Sequence, residues 1–144
     1  MDIRTLYSTL AFAGVLPFLA CALLILAGVQ SIPAIGQLAQ VVNSYGLAIV
    51  CFLAGIHWSI YLANQEDPPF NLLIGSNLIF LVAWFAFILG GTATSLAAQV
   101  AAFIALLLID RSLVKAAIIS AHYFRVRVIA TLLAVLSLMV IILR

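Results

Sequence analysis

The sequence predicts an all-α integral membrane protein with five transmembrane helices. Three observations carry this. Residues of apolar type make up 67% of the chain and charged residues 7%, against about 25% charged in a typical soluble domain. The mean hydropathy is +1.36. The apolar residues fall in five blocks, most of them near the roughly 20 residues a helix needs to cross a bilayer at about 1.5 Å per residue. A transmembrane β-barrel would need alternating strands of about ten residues, whereas these blocks are apolar on all sides. Five spans use most of the 144 residues, so residues 1–144 read as a single transmembrane domain. The net charge of +2 comes with no basic run interleaved with aromatics, which excludes a nucleic-acid partner.

The first helix is expected over residues 6–28. Its start imitates a signal peptide, but the apolar stretch is too long for one and no small-residue cleavage site follows, so the block is expected to be retained. Pro17 sits mid-helix with Gly14 one turn before it. Proline lacks the backbone donor, which predicts a kink and a carbonyl at Ala13 without its usual partner. Residues 30–43 read as an uncharged connector in which Ser31 caps a short interfacial helix beginning at Pro33. The second helix is expected over residues 44–63, stopped by Asn64, Glu66, Asp67 and the prolines at 68 and 69. The third runs over 70–89 and ends at Gly90 and Gly91. A tight turn over 92–95 makes the fourth, 96–113, its antiparallel neighbour. Residues 110–127 form the most polar stretch. Leu113, Val114, Ala117, Ile118 and Ala121 share one face, which reads as an amphipathic segment lying on the cytoplasmic surface or prolonging the fourth helix. The fifth helix is expected over 128–143. Cys21 and Cys51 fall inside apolar blocks and read as small packing residues.

Basic residues set the orientation. Five spans put Arg4, Arg111, Lys115, Arg125 and Arg127 on one side and Arg144 alone on the other. The positive-inside rule then places the N-terminus in the cytoplasm and the C-terminus outside. With no organelle import leader, a bacterial inner membrane is the expected location.

Polar side chains at membrane depth are costly unless paired, which makes them the candidates for function. In the second helix His57, Tyr61 and Asn64 share one stripe. Ala48, Cys51, Gly55 and Ser59 form a neighbouring seam of small residues that would let a helix approach closely. Counting from the cytoplasmic boundary puts His57 level with Ser76 and Asn77 of the third helix, which predicts a hydrogen bond between them. Asp110 is expected to pair with Arg125 or Arg127. The result is a polar layer of His57, Tyr61, Asn64, Asn77, Asp110, Tyr123, Arg125 and Arg127. Such a layer either fixes helix registry through satisfied hydrogen bonds or lines a pocket for a headgroup, a quinone or a proton path. Tyr7, Tyr45, Trp58 and Trp84 read as interface anchors or packing residues. His122 is expected among headgroups or water. Two histidines hold a haem when they face each other, and His57 and His122 differ in depth, so no cofactor and no metal is expected.

One ordered set of short motifs spans nearly the whole chain: Gly14-Val15-Leu16-Pro17-Phe18, then Phe52 with Gly55-Ile56-His57-Trp58, Trp84, Asp110, and Tyr123-Phe124-Arg125-Val126-Arg127. In this set the chain resembles an uncharacterised bacterial inner-membrane family that includes mitochondrial transmembrane protein 69. The resemblance implies the same five-helix plan and points to His57, Trp58, Asp110, Tyr123, Arg125 and Arg127 as retained positions. The chain departs from the pattern at His122, where a tryptophan is usual, and at Ile79, where a proline often interrupts the third helix. The family carries no established activity.

The functional expectation is therefore a non-enzymatic accessory, assembly or scaffold component of a membrane complex, with membrane lipids, a second copy of the chain or a larger inner-membrane complex as partners. The alternative is binding or transport of a lipid-like or quinone-like molecule, or of a proton, through the cluster centred on His57. No nucleophile-base-acid set, metal-ligand spacing or phosphate loop accompanies it.

Overall fold

The computed structural model describes residues 2–63 and 71–144. Among these, five helices are long and apolar enough to cross a membrane: α1 (Ile3–Leu26), α2 (Leu38–Ala63), α3 (Leu72–Leu89), α4 (Thr92–Lys115) and α5 (Ala121–Ile142). This is the make-up of a multi-pass membrane protein. Its outer surface agrees: Leu89 is 80% exposed, and Phe52, Leu62 and Ile74 are each 67% exposed. So much apolar side chain turned outward suits lipid and would be a liability in water.

The packing runs around the bundle. α1 lies along α5, α5 on α4, α4 on both α3 and α2, and α3 on α2, while α1 touches α2 more lightly. The centre is filled by Phe18, Val42, Val50, Phe103, Leu106 and Leu138. Phe18 stands edge-on to Phe103 and to Tyr45, with ring centroids 5.9 and 5.2 Å apart, the arrangement that ring quadrupoles favour. Lipid tails are as apolar as these side chains, so association here rests on close fit and on internal hydrogen bonds.

The helix boundaries and connectors differ from the expected ones in four places. The connector after α1 holds no short helix at Pro33. Ser31–Ile32 (β1) and Gly36–Gln37 (β2) pair antiparallel as a miniature hairpin, with Gly36 at φ +98°, a left-handed conformation that glycine adopts without cost. α2 then begins at Leu38, six residues before the expected Ser44, which brings Asn43 inside the helix. α4 starts at Thr92, directly after Gly90 and Gly91, so residues 92–95 are helical and not a turn. Finally, residues 110–127 form no separate surface helix. α4 continues to Lys115, and Ala117 N–H and Ile118 N–H close back on the Val114 and Leu113 carbonyls, a Schellman ending with Ala117 at φ 56°. Ser120 then caps α5, its Oγ accepting from the Tyr123 amide at 3.2 Å. Arg125 and Arg127 therefore belong to the first turns of a spanning helix. The expected start of the third helix at residue 70, like the acidic, proline-rich stretch before it, lies outside the described residues.

α1 runs unbroken through Pro17. One turn earlier, the Gly14 carbonyl accepts a 2.9 Å hydrogen bond from the Tyr45 hydroxyl of α2. Neighbouring side chains commonly serve backbone groups that an intramembrane proline loosens.

A second buried polar group ties α2 to α4. Gln99 Nε2 donates to the Asn43 carbonyl at 2.8 Å and to Asn43 Oδ1 at 2.7 Å, and Ser95 Oγ donates to the same Oδ1 at 2.7 Å. Gly46 makes room for it: a Cβ at that position would overlap Gln99 Oε1. Gly55, by contrast, has open space where its Cβ would be, and Ala48, Cys51, Gly55 and Ser59 all lie on the exposed face of α2. The small-residue seam thus faces away from the bundle. Gly46→Ala should destabilise the detergent-solubilised protein by about 1–3 kcal/mol, the range for overpacking, whereas Gly55→Ala should leave its thermal midpoint unchanged or slightly raised.

Candidate functional site

α2, α4 and α5 meet in one buried ionic group. Asp110 of α4 lies between two partners. His57 Nε2 of α2 is 2.8 Å from Asp110 Oδ1, and Arg127 Nε of α5 donates to Oδ2 at 2.9 Å. All three residues are less than a tenth exposed. They stand five or six residues inside their helix ends, about 7–9 Å deep at 1.5 Å per residue. A carboxylate is an acceptor, so the His57 nitrogen facing it carries the hydrogen. The other ring nitrogen, Nδ1, is buried with no partner among the described residues. Paired charges in low dielectric are tolerated where each is hydrogen-bonded, and removing one partner leaves the other uncompensated.

The expected pairing of Asp110 with Arg127 is present. Arg125 takes no part and points outward. The expected bond between His57 and Asn77 or Ser76 is absent: Asn77 is exposed and its Nδ2 donates to the Leu73 carbonyl of its own helix at 2.9 Å, and Ser76 Oγ turns to the same carbonyl at 3.3 Å. α3 presents Asn77 to the outer face, and α4 supplies the partner of His57 instead. Tyr61 is half-buried on the His57 stripe and enters none of these bonds. Asn64 lies outside the described residues. Sequence reasoning missed the Asn43, Ser95 and Gln99 group because Asn43 and Ser95 were assigned to connectors. Gln99, an amide in the middle of an apolar block, was the signal that could have found it.

Beside the ionic group lies a cavity of about 330 Å³. α1 and α2 wall it, and α5 with Phe103 of α4 forms its floor. At one end stand Tyr7, Tyr123 and Arg127, and at the other Phe18, Phe103 and Ala134. Pro17's neighbour Gly14 lines the wall between them. Tyr7 meets His122 and Tyr123 edge-on at 5.7 and 6.0 Å, and Ser8 Oγ lies 3.4 Å from His122 Nε2. His122, half-buried, is thus engaged by α1. Thr131, one turn beyond Arg127, also lines the cavity, and its buried Oγ1 has no partner among the described residues. The cavity's volume is at the low end of the usual range for ligand sites, about 300–1,000 Å³.

A model of the family described as Protein of unknown function (DUF3429) matches residues 3–143. The chain belongs to this family. No curated protein and no solved structure matches it.

Two outcomes test this geometry. Arg127→Met should lower stability by about 3–5 kcal/mol, the cost of leaving a buried charge unpaired, and the double variant Asp110→Leu, Arg127→Met should cost much less; thermal melts in detergent read both. Asn77→Leu should be neutral to within about 0.5 kcal/mol, as for other surface changes, while His57→Leu strips a hydrogen bond from Asp110 and lowers the melting temperature.

Proposed function

We propose that the protein is a non-enzymatic, multi-pass component of a bacterial inner membrane that holds a lipid-like or quinone-like amphiphile between α1 and α2. In this reading the N-terminus is cytoplasmic, the C-terminus lies outside, and the chain stands in one family with mitochondrial transmembrane protein 69. The observation that carries the reading is the cavity itself: an apolar slot of about 330 Å³ that ends on Arg127, a member of the buried ionic group. Apolar pockets with a few convergent polar groups are the usual form of small-molecule sites. The slot borders the α1–α2 seam, the more lightly packed side of the bundle, so a membrane molecule has a lateral way in.

A role as accessory or assembly partner of a larger complex is supported by a separate observation. The seam of Ala48, Cys51, Gly55 and Ser59 is turned outward on α2, where another helix, from a second copy or another subunit, can approach closely.

Purification in mild detergent from native membranes, followed by mass spectrometry of bound small molecules, tests the binding reading. An amphiphile is expected near one per chain. It should be lost in Ala11→Phe, which fills the slot from α1, and reduced in the milder Ala11→Leu. A protein that carries no amphiphile, or one retained unchanged in both folded variants, would contradict it.

A further inference from the structure

α3 is the span that buries the smallest share of its residues, and its two faces differ in a regular way. Leu72, Ser76 and Ala83 are buried, on the side that packs against α2 and α4. The outer side presents Ile74, Asn77, Leu81, Trp84 and Ile88, all of them exposed. Their spacing alternates three and four residues, the a/d repeat of a left-handed coiled coil. The buried three fall at c and f positions, on the far side of the helix from that seam. Spanning helices pack side by side along such seams, crossing at about 20°.

Asn77 is the anomaly on this seam. α3 has 18 residues, about 27 Å of helix at 1.5 Å per residue, no longer than the hydrocarbon layer of roughly 30 Å. Asn77 stands five residues inside it, with exposed Ile74 one turn before and exposed Leu81 one turn after. Its Nδ2 donates one hydrogen to the Leu73 carbonyl at 2.9 Å, and its Oδ1 takes part in no hydrogen bond among the described residues. One N–H and one carbonyl oxygen are left open. Polar side chains in spanning segments ordinarily face protein, because an amide turned to hydrocarbon is unfavourable.

The partner that satisfies Asn77 must bring a donor and an acceptor to the same level on an apolar face. A second copy of the chain does so by symmetry. Two copies threaded in the same sense carry Asn77 at one level, and a two-fold axis along the helices makes the contact self-complementary. An amide is its own hydrogen-bond complement, and α3 carries no charged residue, so like faces do not repel. We infer that the protein forms a parallel homodimer through α3. Ile74, Leu81, Trp84 and Ile88 pack against their counterparts, and the free N–H of each Asn77 donates to Oδ1 of the other. A single polar residue in an apolar seam fixes register and oligomeric state in coiled coils. The outward seam of α2 is then left for another subunit. No α3 residue lines the slot, so the dimer and the slot stand or fall separately.

The test labels the chain at Arg144→Cys, in a background of Cys21→Ala and Cys51→Ala, and follows energy transfer between labelled copies in phosphatidylcholine vesicles over a range of protein-to-lipid ratios. Transfer should rise with the ratio and saturate as for a dimer. Asn77→Leu should raise the dissociation constant about three- to thirtyfold, the effect of one or two interhelical hydrogen bonds. Asn77→Gln, which keeps donor and acceptor, should recover part of the loss. Both variants should keep the melting midpoint of the separated chains in excess detergent. In the same cysteine-free background Leu81→Cys should link two copies on oxidation in vesicles. Val82→Cys, also exposed but off the seam, should link far less. Chains that stay apart at every ratio, Asn77→Leu associating as tightly as the parent, or equal linking at Val82→Cys would overturn the proposal. Linking at Gly55→Cys in place of Leu81→Cys would move the second copy to α2 and overturn it as well.

Discussion

Asp110 carries a charge into a part of the molecule that water does not reach, and three helices are arranged around that fact. Its carboxylate is held on one side by His57 of α2 and on the other by Arg127 of α5. Each partner would be costly to bury alone, and together they cancel. Because hydrophobic burial does not distinguish one lipid-like surface from another, geometry of this kind decides which faces of α2, α4 and α5 meet. The Asn43, Ser95 and Gln99 group does the same for α2 and α4 toward the other end. Two polar fastenings, one ionic and one neutral, thus set the register of an otherwise apolar bundle.

The same arrangement leaves a gap. α1 is drawn to α5 through Tyr7 and its contacts with His122 and Tyr123, and to α2 through Tyr45 and the Gly14 carbonyl. Between those two points it stands off from α2, and the space is the slot. Arg127 belongs to both features, since it neutralises Asp110 and lines the cavity.

Much of the fold was legible in the sequence because length and hydropathy alone dictate spanning helices. All five blocks became helices, and the pairing of Asp110 with an arginine of the next segment followed from charge, which left Arg125 and Arg127 both open. Boundaries were harder. Asn43 and the stretch from His122 to Arg127 were assigned to connectors because they carry polar or charged groups, but Asn43 and Arg127 are hydrogen-bonded inside the bundle and Arg125 points outward, so none of them ends a helix. Facing was hardest. Residue counting puts His57 and Asn77 at one depth, yet depth does not say which way a helix is turned. With apolar residues on every side of α3, no stripe in the sequence marks its inner face. The seam around Gly55 read as a place where a helix could approach closely; it faces outward, and the glycine that accommodates a neighbour within the bundle is Gly46, beneath Gln99.

The central claim is that His57, Asp110 and Arg127 form one hydrogen-bonded unit across three helices. Solid-state NMR of the isotope-labelled protein in lipid bilayers tests it most directly, through transfer between ring, guanidinium and carboxyl nuclei. The account predicts cross-peaks from the Asp110 carboxyl carbon to both His57 Nε2 and Arg127 Nε, persisting when the bilayer is hydrated. Absence of the His57 contact, with its ring exchanging freely with bulk water, would contradict it.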